Sequence, residues 1–255
     1  MISIDLNCDM GESFGPSIVG DDAAIMPLIS SANIACGFHG GDPIVMNNTI
    51  KLAKQFGVSI GAHPSFFDLK NFGRKEMQLN EEEIFQLVIY QVSALLGFIK
   101  LNNAKLVHVK PHGALYNMAA RNKTYAVAVA KAVKAIDPQL ILYGLAGSYS
   151  IEAGLAAGLK TCAEVFADRT YQDDGSLTPR SQPDAIIKDP ALAVEQVLMM
   201  VENGKVKTIT GKLLSVKAET VCIHGDTPGA AVYAKAIRKG LEQRGVTIRS
   251  IKSEG

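Results

Sequence analysis

Short runs rich in Ile, Val and Leu recur roughly every thirty residues, each followed by a longer stretch with helical spacing of its apolar positions. Seven such runs stand out, at 2–9, 32–37, 58–63, 105–110, 140–144, 161–166 and 220–224. They predict strands that each feed a helix. The helix boundaries carry their own signals. Asp42-Pro43 supplies an N-cap with proline at the first helical position, and Gly57 closes that helix. Asn80 followed by Glu81, Glu82 and Glu83 puts acidic charge at a helix start, and Ser148 caps a helix ending near Gly158. Thr227-Pro228 opens a last helix that stops near Gly245. Two segments, 64–79 and 167–188, are too long and too rich in Gly, Pro and Asp for simple turns, and loops of that length after strands are usually functional. A hairpin is expected over 206–216 around Thr210-Gly211-Lys212, with no chemistry assigned to it.

Within the runs, apolar and polar residues alternate, so each strand has one greasy and one polar side. Ile2, Ile4 and Leu6 oppose Asp5, Asn7 and Asp9. Val107 and Val109 oppose His108, Lys110 and His112. Ala163 and Val165 oppose Cys162, Glu164 and Asp168, while Val221 and Ile223 oppose Cys222, His224 and Asp226. A flat parallel sheet covered on both faces by helices would show continuous apolar runs instead. The alternation predicts an α/β fold in which a single-domain (β/α) barrel, seven-stranded, spans 1–255, with the eighth strand missing or replaced by 246–251. A doubly wound sheet is the alternative.

Composition narrows the class. The 26 Lys plus Arg against 25 Asp plus Glu give a net charge of +1 with no basic cluster, which argues against nucleic acid as a partner. Cys8, Cys36, Cys162 and Cys222 are scattered, without a C-x-x-C pair, and the chain runs from Met1 straight into strand-like alternation. Reduced thiols and a cytoplasmic location are expected. The apolar stretch 87–98 contains Gln91 and Ser93 and is too short to cross a bilayer, so no membrane association is expected.

The candidate chemistry lies at the ends of the strands, where β/α barrels build their sites. His39, His63, His112 and His224 fall there with Asp9, Glu164, Asp168 and Asp226; Asp5 and His108 lie deeper and suit a structural role. Any one of these histidines alone would be a structural hydrogen-bonding group, but their coincidence on one rim predicts a shared polar site. His39-Gly40-Gly41-Asp42 puts a glycine turn at a helix start, which can offer N–H groups to an anion or merely change direction. Lys110 and Arg169 bring two cations; an inward lysine needs either Glu164, Asp168 or a substrate anion beside it. Asp9, His39, His63 and His112 could together hold a divalent metal, although His108-x-x-x-His112 contains Pro111 and lies in a strand, without the helical geometry that makes such pairs diagnostic.

Six blocks in order, Asn7-Cys8-Asp9-Met10-Gly11-Glu12, Ala35-Cys36-Gly37-Phe38-His39-Gly40-Gly41-Asp42-Pro43, Gly61-Ala62-His63-Pro64, Val109-Lys110-Pro111-His112-Gly113-Ala114-Leu115-Tyr116, Glu164-Val165-Phe166-Ala167-Asp168-Arg169 and Cys222-Ile223-His224-Gly225-Asp226, resemble the LamB/YcsF lactam-utilisation family nearly end to end. The resemblance implies a barrel similar to those of glycoside hydrolases and polysaccharide deacetylases. It also implies the ATP-dependent opening of 5-oxo-L-proline to L-glutamate, with ADP and phosphate released, in a complex with two other 5-oxoprolinase subunits. In that chemistry Asp9, Glu12 or Glu164, helped by His39, His63, His112 and His224, would handle water and the amide proton. Asn7, Gly40, Gly41, Lys110, Asp168, Arg169 and Asp226 would bind substrate or phosphoryl group. Two rivals stand beside it: a metal-dependent amidohydrolase or deacetylase acting alone, and a non-catalytic subunit that only binds the substrate.

Overall fold

Seven parallel strands close on themselves in the computed structural model, which describes residues 2–225 and 229–251. In chain order the elements are β1 (Ser3–Met10), α1 (Asp22–Ile25), β2 (Ser31–Ala35), α2 (Pro43–Phe56), β3 (Ser59–His63), α3 (Glu81–Leu101), β4 (Leu106–Val109), α4 (Gly113–Arg121), α5 (Lys123–Ile136), β5 (Ile141–Leu145), α6 (Tyr149–Ala156), β6 (Lys160–Phe166), α7 (Pro190–Asn203), β7 (Lys205–Lys207), β8 (Leu213–Ser215), β9 (Thr220–Ile223), α8 (Ala230–Gln243) and β10 (Thr247–Ile248). The barrel runs β1-β2-β3-β4-β5-β6-β9, and β9 returns to β1 in the register Asp5↔Thr220 to Cys8↔Ile223. That closure excludes the doubly wound sheet.

The caps predicted at Asp42, Gly57 and Asn80 form, whereas Ser148 takes the N-cap position of α6 without a side-chain capping bond. Asp42 accepts from the N–H groups of Ile44 and Val45, and Gly57 ends α2 in the left-handed conformation at φ 66°. Asn80 and Glu83 make a reciprocal capping box at the start of α3. Thr227-Pro228, expected to open the last helix, lies outside the described residues; α8 is described from Ala230.

α3 is longer than the apolar stretch read from the sequence. Its 21 residues are enough, by length and composition, to cross a membrane. Its stripe of Ile84, Val88, Val92, Leu95 and Ile99 is instead buried against the barrel and α5, each such side chain contributing about 1.5–3 kcal/mol. Outward strand residues such as Ile4, Leu6, Cys8 and Met10 lie under the helices in the same core.

The segment 246–251 packs at the lower end of the barrel. β10 pairs with the start of β1, Ser3↔Thr247 and Ile4↔Ile248, and Ile251 packs against Ile141, Tyr143 and Cys162. The segment 246–251 thus supplies a short eighth strand outside the closed ring. The hairpin β7–β8 forms as expected and braces the loop 167–188. Ile209 N–H donates to Tyr171 O at 2.9 Å, and Thr208 Oγ1 donates to Asp173 Oδ1 at 2.6 Å.

Candidate active site

The inward positions of the strands stack in polar layers. In the lowest, the Asp5 carboxylate accepts from Ser30 and Ser31 at 2.7 Å each, Thr220 at 2.6 Å and Tyr143 at 3.1 Å. Above it Asn33 Nδ2 donates to Asn7 Oδ1 at 2.7 Å, and His108 Nε2 donates to Asn33 Oδ1 at 2.7 Å. His108 stacks on Tyr143 with ring centroids 4.2 Å apart, and burial pushes its pKa down to about 3, so it is neutral and structural. Glycine is required opposite it: a Cβ on Gly61 would lie 2.0 Å from His108 Nε2.

The next layer carries the charge. Lys110 Nζ lies 2.9 Å from Asp9 Oδ1, 2.9 Å from Glu164 Oε1 and 3.0 Å from Cys222 Sγ. Asn7 Nδ2 donates to the same Glu164 oxygen at 2.9 Å, and Asn33 Nδ2 to Asp9 Oδ1 at 2.8 Å. Burial alone would lower the Lys110 pKa, but Asp9, Cys222 and Glu164 raise it well above the usual lysine value, so it stays an ammonium. Burial would likewise raise Asp9, and His63 and Lys110 hold it well below the ordinary carboxylate range. Of the partners expected for Lys110, the structure supplies Glu164, adds Asp9, and gives Asp168 to another group. The three ammonium protons are thereby committed, so Lys110 is not a free anchor for a substrate anion.

Past the strand ends a second cluster gathers Glu12, His39, His63 and His112, whose ligand atoms all lie within 4.8 Å of one another. His39 and His112 stack in parallel with centroids 3.8 Å apart, and His39 Nε2 faces Glu12 Oε1 at 3.2 Å. His63 Nδ1 is 2.7 Å from Lys110 O, and His112 Nε2 is 2.9 Å from Phe72 O. A carbonyl only accepts, so both nitrogens carry their ring protons. The remaining nitrogens, His63 Nε2 and His112 Nδ1, then face each other at 2.9 Å, with Asp9 Oδ1 3.3 Å from the first. Burial, then the neighbouring histidines, keeps His112 neutral. Acceptors meeting in this way suit a cation among them, and imidazoles braced by carbonyls are the usual support of metal ligands. The donor set therefore fits a divalent ion. Glu12 joins the three histidines in this set, while Asp9, paired with Lys110, also gathers with Cys222 and His224 in a neighbouring group of donors.

On the opposite wall His224 Nδ1 lies 2.9 Å from both Asp168 oxygens. Burial would raise the Asp168 pKa, and His224, Arg180 and Arg169 lower it below the usual value. Its stabilising contribution is therefore full above the unfolded value of about 3.9 and lost as pH falls through the folded one. Asp168→Asn should melt lower than the wild type at neutral pH, with the difference shrinking as pH falls below about 4. Scanning calorimetry across that range checks this.

Two expected anion binders are otherwise employed. Gly41 N–H donates to Ser13 O at 3.2 Å, and the N–H groups of Ile44 and Val45 are taken by Asp42, so these three donors are not offered to an anion. Gly40 and Gly41 instead let two backbones touch: added Cβ atoms would lie 2.6 Å from Glu12 O and 2.8 Å from Gly11 O. Arg169 donates through Nε to Ala185 O at 3.2 Å and through Nη2 to Thr178 O, which ties it to its own loop. Asp226 lies outside the described residues.

A cavity of about 810 Å³ opens over these groups, lined among others by Asp9, Lys110, Tyr116, Ser148, Arg180 and His224. Sequence reasoning missed Tyr116, Ser148 as a cavity residue, Arg74 and Arg180. Tyr116 lies one helical turn after His112 and Arg180 sits in a loop already singled out; nothing in the pattern marks Arg74.

The fold and site define a (β/α)-barrel protein with a buried lysine–carboxylate–histidine centre at the C-terminal mouth of its strands, where barrels of this kind carry their chemistry. The chain belongs to the LamB/YcsF family, whose sequence model matches residues 4–254. It is 56% identical over 251 residues to a 5-oxoprolinase subunit of Tolumonas auensis, covering 98% of this chain and all of that one. The crystal structure of a lactam utilization protein from Thermus thermophilus superposes with a TM-score of 0.93 at 48% identity, covering 98% of this chain and 100% of that chain. A family 4 carbohydrate esterase from Streptomyces lividans has a TM-score of 0.51 at 12% identity over 98% of this chain and 93% of that one, a likeness of fold alone.

Proposed function

We propose that this chain is the barrel subunit of an ATP-dependent 5-oxoprolinase, which opens 5-oxo-L-proline to L-glutamate and releases ADP and phosphate. Its partners are two other subunits of a cytoplasmic complex. The end-to-end match to a relative named as a 5-oxoprolinase subunit carries this reading. The site supports it chemically. A five-membered lactam is an unactivated amide, and phosphorylation of its carbonyl oxygen by ATP makes the ring carbon electrophilic. Water then adds at that carbon, the ring nitrogen departs as the α-amine, and a second water releases phosphate from the acyl phosphate to leave the γ-carboxylate. Asp9, held ionised by His63 and Lys110, can take the proton of an attacking water; such help is worth about 10²–10⁴-fold. Glu164 and Asn7 fix Lys110 from below. Arg74 and Arg180 line the cavity, which suits an anionic substrate.

Glu12, His39, His63 and His112 would hold a divalent ion. When bound, such an ion supplies a Lewis acid for an oxygen ligand. The same donor set favours the second reading, a metal-dependent amidohydrolase acting alone. One assay separates the two: ATP hydrolysis dependent on 5-oxo-L-proline, measured with this chain alone and with the other two subunits, before and after chelation. Turnover only with all subunits and ATP is the expected result. Lactam opening by this chain alone, without ATP and lost on chelation, would replace the first reading by the second.

A further inference from the structure

Two hydroxyl groups at the cavity wall are buried without any hydrogen-bond partner among the described residues. Tyr116 Oη and Ser148 Oγ belong to side chains 5% and 8% exposed, and both residues line the cavity. Buried polar atoms are ordinarily satisfied, so orphans that line one cavity ask for a reason. Ser148 makes the case sharper. It occupies the N-cap of α6, where a serine normally accepts from the second or third backbone N–H, yet its side chain makes no capping bond. Tyr116 stands in the first turn of α4, where its ring meets Phe166 edge-on at 5.7 Å and its hydroxyl lies near Glu164 without a well-formed hydrogen bond. Burial, and then the charge of Glu164, whose Oε2 is likewise without a partner, pushes the Tyr116 pKa well above its usual value and keeps the group protonated.

We propose that Tyr116 and Ser148 are the substrate-recognition residues of this cavity, binding the polar edge of a cyclic amide through their hydroxyls. A hydroxyl both donates and accepts, so two of them can serve an amide's carbonyl and its ring N–H together. The proposal rests on the lactam reading above and adds the groups that tell a lactam from an apolar ring of the same size.

The test uses the assembled enzyme with 5-oxo-L-proline, comparing wild type, Tyr116→Phe and Ser148→Ala. Each variant should raise KM roughly tenfold, as the loss of one ligand hydrogen bond does, with a smaller change in kcat. Ser148→Ala should melt at or above the wild type, because its hydroxyl has no partner among the described residues, and Tyr116→Phe should melt close to it. Unchanged KM in both variants, or a marked loss of thermal stability in both, would overturn the proposal while leaving the lactam reading intact. A wild-type assembly that does not consume 5-oxo-L-proline would overturn the lactam reading and this inference with it.

Discussion

Lys110→Met is expected to abolish glutamate formation by the assembled enzyme, a loss of at least about 10³-fold, and to lower the melting temperature markedly. Lys110 is a fully buried ammonium whose three protons point at Asp9, Glu164 and Cys222. A methionine fills the same channel but leaves two carboxylates facing each other without a cation. Breaking a buried pair from one side costs about 3–5 kcal/mol. At roughly 2–4 °C per kcal/mol for a domain of this size, the melting temperature should fall by about 6–20 °C. Adding Glu164→Gln to Lys110→Met removes one stranded charge and should recover part of the stability and none of the activity. Activity measured with thermal melts of the wild type and the two variants checks both halves.

Gly40→Ala is expected to cost about 10²-fold in turnover although it deletes no functional group. The new Cβ would sit 2.6 Å from Glu12 O and 3.2 Å from Glu12 Cα, and neither is the end of a flexible side chain. The turn carrying His39 must then move away from the segment carrying Glu12, which breaks the 3.2 Å contact between those two side chains. Overpacking of this kind also destabilises by about 1–3 kcal/mol. Kinetics and a melting curve of this one variant check both effects; turnover and melting temperature equal to the wild type's would show that the contact between the two backbones does not set the site.

Much of the site is legible in the sequence because strand alternation is a strict geometric rule. It places Asp9, Lys110, Glu164, Cys222 and His224 inside a barrel and puts His108 below His112, where the structure finds His108 bonded to Asn33 and His112 in the histidine cluster. What alternation cannot give is the height at which side chains from different strands meet. It leaves the choice of anions around Lys110 open, since the stagger that brings Asp9 and Glu164 to its two sides depends on the tilt of a closed barrel. Composition misleads at the glycines. Gly40 and Gly41 read equally well as anion donors or as thin backbone, and only the proximity of the 11–13 segment selects the second. Ser148 does stand at a helix start, but the usual meaning of that position, a capping bond, does not hold there. Arg74 and Arg180 sit in loops without periodicity, so no pattern marks them.

Glutamate formation from 5-oxo-L-proline by the assembled enzyme, measured for wild type, Asp9→Ala and His63→Ala, tests most directly whether the Asp9–Lys110–His63 centre at the barrel mouth performs the reaction. Both variants should lose at least about 10²-fold in turnover while still joining the other subunits. Full ATP-dependent glutamate formation by both would contradict the account.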